Sequence, residues 1–147
     1  MKTWKMLLWF PVILAGCVTP HPPSGDAQLL GVFRGVLPCA DCPGIETELT
    51  LYHAGPYVDE GTYSLKLTYR DRAVQPYVSR GDWTMIRGDA KDENASVYQL
   101  DPDHPEKSLY YLRVHPNELR QLGRNLKEMG SPLHFTLKRV SPALPGD

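Results

Sequence analysis

Several features are scarce in this 147-residue chain, and each scarcity removes a class of function. No window carries apolar residues at helical spacing over three turns, which argues against a helix bundle or a coiled coil. The apolar stretch Met6–Ala15 is too short to cross a bilayer, which takes about 20 residues, and Pro11 weakens it as a helix. Charge of one sign is not in excess. The formal net charge is −1 and the Lys and Arg residues are dispersed, so no nucleic-acid partner is expected. No glycine-rich phosphate loop follows a strand-like run, and neither an HExxH motif nor a nucleophile elbow occurs. Nothing gathers Ser, His and Asp together, so the chain is read as non-catalytic. Cysteine is scarce too, with three in all, at positions 17, 39 and 42. A zinc ribbon needs a second pair of soft ligands at matching spacing, and there is none.

What is present begins at the N-terminus. "MKTWKMLLWFPVILAGC" has Lys2 and Lys5, a short apolar core, then small residues before Cys17. A charged start, an apolar core and small residues before a cut site describe a secretory signal. "LAGC" resembles a bacterial lipobox, which implies acylation of Cys17 and cleavage just before it. Residues 1–16 are therefore expected to be a signal peptide, leaving 131 residues with a formal charge of −3. Each buried acyl methylene contributes about 0.8 kcal/mol, so several chains would anchor the protein to a membrane. Val18 follows the acylated cysteine, where aspartate would favour inner-membrane retention in enteric-type sorting. The expected location is the outer membrane, with the domain facing the periplasm. Residues 17–28 hold "VTPHPPSGDAQ", too proline-rich and polar to pack, and read as a semi-extended tether.

Residues 29–140 are long enough for one modest core. Alternation of period two recurs between Gly- and Pro-rich breaks. In "GTYSLKLTYR", Tyr63, Leu65, Leu67 and Tyr69 share a face. "GIETELTLY" does the same with Ile45, Leu49 and Leu51, and "GVFRGVL" with Phe33, Gly35 and Leu37. "GDWTMI" offers Trp83 and Met85, "SVYQL" Tyr98 and Leu100, "SLYYLRV" Tyr110, Leu112 and Val114, and "LHFTLKRV" Leu133, Phe135 and Leu137. "NELRQLGRNLKEMG" reads as a short strand and turn, because Gly123 and Gly130 break the loose helical spacing of Leu119, Leu122 and Leu126. One apolar face per strand with short turns predicts an all-β fold, a small antiparallel meander barrel, with a β-sandwich as the other possibility. Residues 141–147, "SPALPGD", read as a flexible tail.

Cys39 and Cys42 lie in "GVLPCADCPG". In an exported protein the two thiols are expected to bridge to each other, pinning a bend between strands. A thioredoxin-like centre would place the attacking cysteine at a helix N-terminus, whose dipole lowers the thiol pKa. Here a turn and a strand follow, and Asp41 adds negative charge beside Cys42. If the pair were reduced, its thiolates would suit Cu(I) without a second CxxC, and that alternative stays open.

The run from Gly35 to Leu51, "GVLPCADCPGIETELTL", placed shortly after a lipobox and tether, resembles the N-terminal domain of the NlpE (copper homeostasis, CutF-like) lipoproteins. "GTYSL", "GDWTM" and "VYQL" extend the likeness to about Val140. The resemblance implies a lipocalin-related β-barrel at the periplasmic side of the outer membrane. It implies roles in copper tolerance and in signalling envelope stress or surface contact to a sensor kinase. Cys39 and Cys42 match the family motif directly. Longer members carry a second, OB-like domain beyond the point where this sequence stops.

The remaining candidates are weaker. His21 lies in the tether, and His53, His104, His115 and His134 fall near turns or at outward positions without metal-site spacing. "DPDHPEK" and "GDAKDEN" read as polar hairpin loops. Met85 and Met129 are too scattered to form a copper box. Of the eight tyrosines, those on inward positions are expected to fill a small barrel, while a lipocalin-like carrier of a small apolar ligand is a further alternative.

Overall fold

The computed structural model describes residues 27–56, 58–130 and 135–140. The described residues form eight strands: β1 (Gln28–Leu37), β2 (Ile45–His53), β3 (Glu60–Tyr69), β4 (Tyr77–Arg87), β5 (Ser96–Leu100), β6 (Leu109–His115), β7 (Glu118–Leu122) and β8 (Thr136–Arg139). Each pairs antiparallel with its sequence neighbours, and β8 returns to β1 through Phe33–Arg139 and Arg34–Lys138, closing a barrel in strand order. That closure settles barrel over sandwich. It follows from the pattern, because short strands with one apolar face bury that face by curling around it.

The interior is filled by side chains. Phe33, Leu37, Leu49, Leu51, Tyr63, Leu65, Trp83, Tyr98, Leu100, Tyr111, Leu119 and Leu137 form one buried cluster, with Leu30, Leu67, Met85 and Leu109 packed against it. Burying a side chain of this size contributes about 1.5–3 kcal/mol. Trp83 is central. It meets Tyr98 edge-on with ring centroids 5.2 Å apart, and its indole N–H donates to the Tyr52 carbonyl at 3.0 Å. Gly61 makes that arrangement possible, because a Cβ there would lie 1.8 Å from the Tyr52 carbonyl oxygen.

Three strands depart from the sequence expectation. In β6 the inward residue is Tyr111, 1% exposed, with Leu109 beside it. Tyr110, Leu112 and Val114 take the outward face and are half-buried. Both faces of this strand are apolar, so alternation alone does not say which one enters the barrel. β4 starts at Tyr77, several residues before "GDWTMI". β8 starts at Thr136, so Phe135 precedes the strand, and Leu133 and His134 lie outside the described residues.

The outward face of β5–β7 explains the second apolar set. Val97 and Leu122 are 0% and 4% exposed, yet neither belongs to the interior cluster. They stand in register with Leu112 and Tyr110 on the outside of the sheet. The segment after β7 folds back toward them, held by a Leu122–Glu128 bridge and by the Ala90 N–H donating to the Leu126 carbonyl at 3.1 Å. Arg120 and Lys91 both pair with the Glu128 carboxylate and fix that return.

Candidate functional site

The β1–β2 connection, residues 38–44, contains the Cys39–Cys42 disulfide, with Cα atoms 5.3 Å apart. Its closing residue has to be glycine. A Cβ at Gly44 would sit 2.6 Å from Val36 Cγ1 on the strand that the turn leaves. β2 begins at Ile45, so no helix follows Cys42 and no helix dipole acts on its sulfur.

The turn docks against the connection between β3 and β4. The Arg70 N–H donates to the Gly44 carbonyl at 3.0 Å. The Arg72 guanidinium donates to the Asp41 carbonyl at 3.0 Å and pairs with the Asp41 carboxylate at 2.5 Å. Two more ion pairs continue along the outer face of β1–β3, Arg70–Glu46 at 3.0 Å and Arg34–Glu48 at 2.5 Å. Each is solvent-exposed and contributes less than about 1 kcal/mol; their effect is to fix the relation of the loops. They border a shallow depression of about 450 Å³ floored by Gly35, Val36, Thr47 and Thr68.

Asp41 stands close to the sulfurs. Its Oδ1 lies 3.5 Å from Cys39 Sγ, and Cys42 Sγ is 3.4 Å from the Gly44 carbonyl oxygen. One ligand-type atom from each of Cys39, Asp41 and Cys42 falls within a 4.8 Å span. While the sulfurs are bonded to each other they present no thiolate, so this set fits a soft metal ion only after reduction.

The other candidates scatter. His53 shares Nδ1 with the Val58 carbonyl at 3.2 Å and packs edge-on to Trp83 at 5.6 Å. Met85 packs on the core. Met129 lies in the return after β7, beside Lys127 and Glu128. Cys17 and His21 lie outside the described residues. The loop "DPDHPEK" is more ordered than a solvated hairpin. Asp101, at φ 52° in the left-handed region that Asp tolerates, accepts the Tyr63 hydroxyl at 2.7 Å. The Ser108 hydroxyl, 3% exposed, donates to the Asp101 carbonyl at 2.8 Å. Burial pushes the Tyr63 phenol up to about 12; the Ser79 hydroxyl opposes this and the Asp101 carboxylate adds to it. Tyr98 and Tyr111 are raised by burial as well. Neither the Arg72 latch nor the Tyr63–Asp101 bond was expected from the sequence. Partners 31 and 38 residues apart leave no local signal.

The family model of the NlpE N-terminal domain matches residues 33–132. The 17 kDa lipoprotein of Treponema pallidum is 33% identical over 120 residues, covering 76% of this chain and 73% of that protein. Lipoprotein NlpE of Escherichia coli is 32% identical over 115 residues, covering 77% of this chain and 42% of its own length, so this chain spans less than half of that relative. The crystal structure of the Cpx pathway activator NlpE from Escherichia coli aligns with a TM-score of 0.46 at 28% identity, over 78% of this chain and 53% of that one.

Proposed function

Because this chain belongs to the family of the NlpE N-terminal domain, we propose that it is a non-catalytic cell-envelope lipoprotein that reports envelope stress and contributes to copper tolerance. In this reading residues 1–16 are removed, Cys17 carries the lipid anchor, and residues 17–28 tether the domain of residues 29–140 to the outer membrane. The domain then faces the periplasm, and residues 141–147 trail from it. The relative whose crystal structure is described as a Cpx pathway activator supports the stress role. A sensor kinase of the envelope is the expected partner. A lipoprotein held back at the inner membrane would meet that kinase, which makes mislocalisation itself the signal.

The observation that carries this reading is the disulfide-closed turn latched by Arg72 to the next hairpin. It is a rigid feature at one end of a barrel filled with side chains, suited to recognition rather than turnover. The test is a deletion strain complemented with the natural chain, with Cys17→Ser, and with Val18→Asp. Deletion should lower copper tolerance, and Val18→Asp should raise an envelope-stress reporter above the natural chain. Unchanged copper tolerance and an unchanged reporter in all strains would refute the reading.

A second reading has one observation in its favour, the Cys39, Asp41 and Cys42 ligand atoms within 4.8 Å. After two-electron reduction by an external dithiol, the pair would chelate Cu(I). Thiol counting on protein taken from the periplasm separates the two readings. A fully oxidised pair that resists mild thiols eliminates the carrier.

A further inference from the structure

We propose that the first half of β4 is a docking edge for an extended peptide strand that carries a carboxylate. β4 pairs with β3 along most of its length, from Tyr77 opposite Leu67 to Thr84 opposite Glu60. Its ladder with β5 begins only at Trp83, opposite Leu100. The direction of each peptide group follows from its neighbours. Met85 turns its N–H to the β3 side, donating to the Asp59 carbonyl at 2.7 Å. Asp82 turns its carbonyl to the other side and accepts the Asp101 N–H at 2.9 Å. Alternation along a strand therefore points the N–H and C=O of Arg80 and Val78 away from β3. Among the described residues nothing pairs with these four groups.

An unpaired strand edge is a template for another strand, whose backbone supplies the missing bonds. The surrounding side chains select the guest. Val74, Tyr77 and Val78 are 56%, 57% and 45% exposed; Tyr77, on the face opposite Val78 and Arg80, offers apolar contact to alternate residues of an added strand. Arg80 pairs with Ser64 and Val78 with Lys66, so Arg80 and Lys66 share the outward face. Neither forms an ion pair among the described residues. A guest carboxylate on that face would meet two cations. A second copy of this chain is a poor guest, because antiparallel pairing of two β4 edges brings Arg80 and Lys66 of both copies onto one face. The site is read from β4, the connection before it and Lys66 of β3, and stands whether or not the chain signals stress.

The test uses the full chain in detergent, panned against a display library of random peptides about a dozen residues long. Two variants accompany it. Val78→Pro removes an outward N–H and leaves the β3 ladder bonds, made by the odd-numbered residues, in place. Arg80→Glu reverses the charge and keeps the backbone. Enriched peptides should alternate apolar residues with Asp or Glu. One of them, synthesised, should slow hydrogen exchange at the Val78 and Arg80 amides. Arg80→Glu should weaken its binding about tenfold and Val78→Pro should abolish it. Three results would overturn the proposal: amides of Val78 and Arg80 already protected in the unbound chain, peptides indifferent to both variants, or a dimer that Val78→Pro dissolves.

Discussion

Replacing Tyr63 by Phe tests the polar closure of the barrel through its pH dependence. The Tyr63 hydroxyl donates to the Asp101 carboxylate at 2.7 Å and lies 3.1 Å from the Ser79 hydroxyl. A hydrogen bond to a charged group contributes about 1.5–3 kcal/mol, so Tyr63→Phe should lower stability by about 2 kcal/mol near neutral pH. The phenol's folded pKa is raised from 10.0 to about 12. A raised value means that the contribution is complete below the unfolded pKa and is lost as pH climbs through the folded one. By about pH 11 the natural protein should have lost about 1.4 kcal/mol from this residue alone, and the Phe variant none of it. Tyr98 and Tyr111 are also raised by burial, but both proteins retain them and their contributions cancel in the difference. Urea unfolding followed by far-ultraviolet circular dichroism at a series of pH values measures the gap. It should shrink by more than half between about pH 8 and about pH 11. A gap that stays constant across that range would refute the reasoning, because the hydroxyl would then not be held neutral by burial and by Asp101.

Three further outcomes are expected. The double substitution Cys39→Ser/Cys42→Ser should leave the barrel folded by circular dichroism and lower its unfolding free energy by about 2 kcal/mol or less, since so short a loop gains little from closure; loss of the native spectrum would contradict this. Gly61→Ala should be severe, costing more than about 3 kcal/mol in urea titration, because its Cβ would fall 1.8 Å from the Tyr52 carbonyl oxygen and the β2–β3 ladder would have to part. The Glu128 carboxyl is held below the usual carboxylate value by Lys91 first and Arg120 second. Its contribution is therefore present above the unfolded pKa and lost as pH falls through the folded one, so Glu128→Gln should destabilise at neutral pH and match the natural protein in acid.

How much of this was legible in the chain depended on whether the signal was local. β2 and β3 were read correctly because Leu49, Leu51, Tyr63 and Leu65 alternate with polar residues, and only one face could enter a core. β6 has two apolar faces, and its inward choice was set by neighbours: Tyr98 of β5 and Gln121 of β7 both pair with Tyr111. Leu122 and Leu126 defied a period of two for a related reason. Leu122 faces outward, and the chain then folds back beside it, with Leu126 at φ 57°. The first half of β4 was silent because its inward positions after Tyr77 are Ser79 and Gly81. A larger residue at Gly81 would collide with Asp101, 2.3 Å from the Cβ position, and crowd the Tyr63 ring. Small residues there are what a barrel needs where a tyrosine from the adjoining strand already fills the space, and they erase the alternation that would have announced a strand.

The same contrast governs the candidate sites. Two cysteines three residues apart mark themselves, whereas Arg72 becomes part of that site only when the β3–β4 hairpin is brought beside the β1–β2 turn. The hairpin connection from Arg70 to Pro76 thus serves two features at once. Arg70 and Arg72 hold the disulfide turn, and Val74 lies just ahead of Tyr77, where the unpaired half of β4 begins. The rigidity of this end of the barrel therefore rests on exposed ion pairs, each too weak to fix a loop alone, together with one backbone hydrogen bond, Arg70 to Gly44, that is proof against salt.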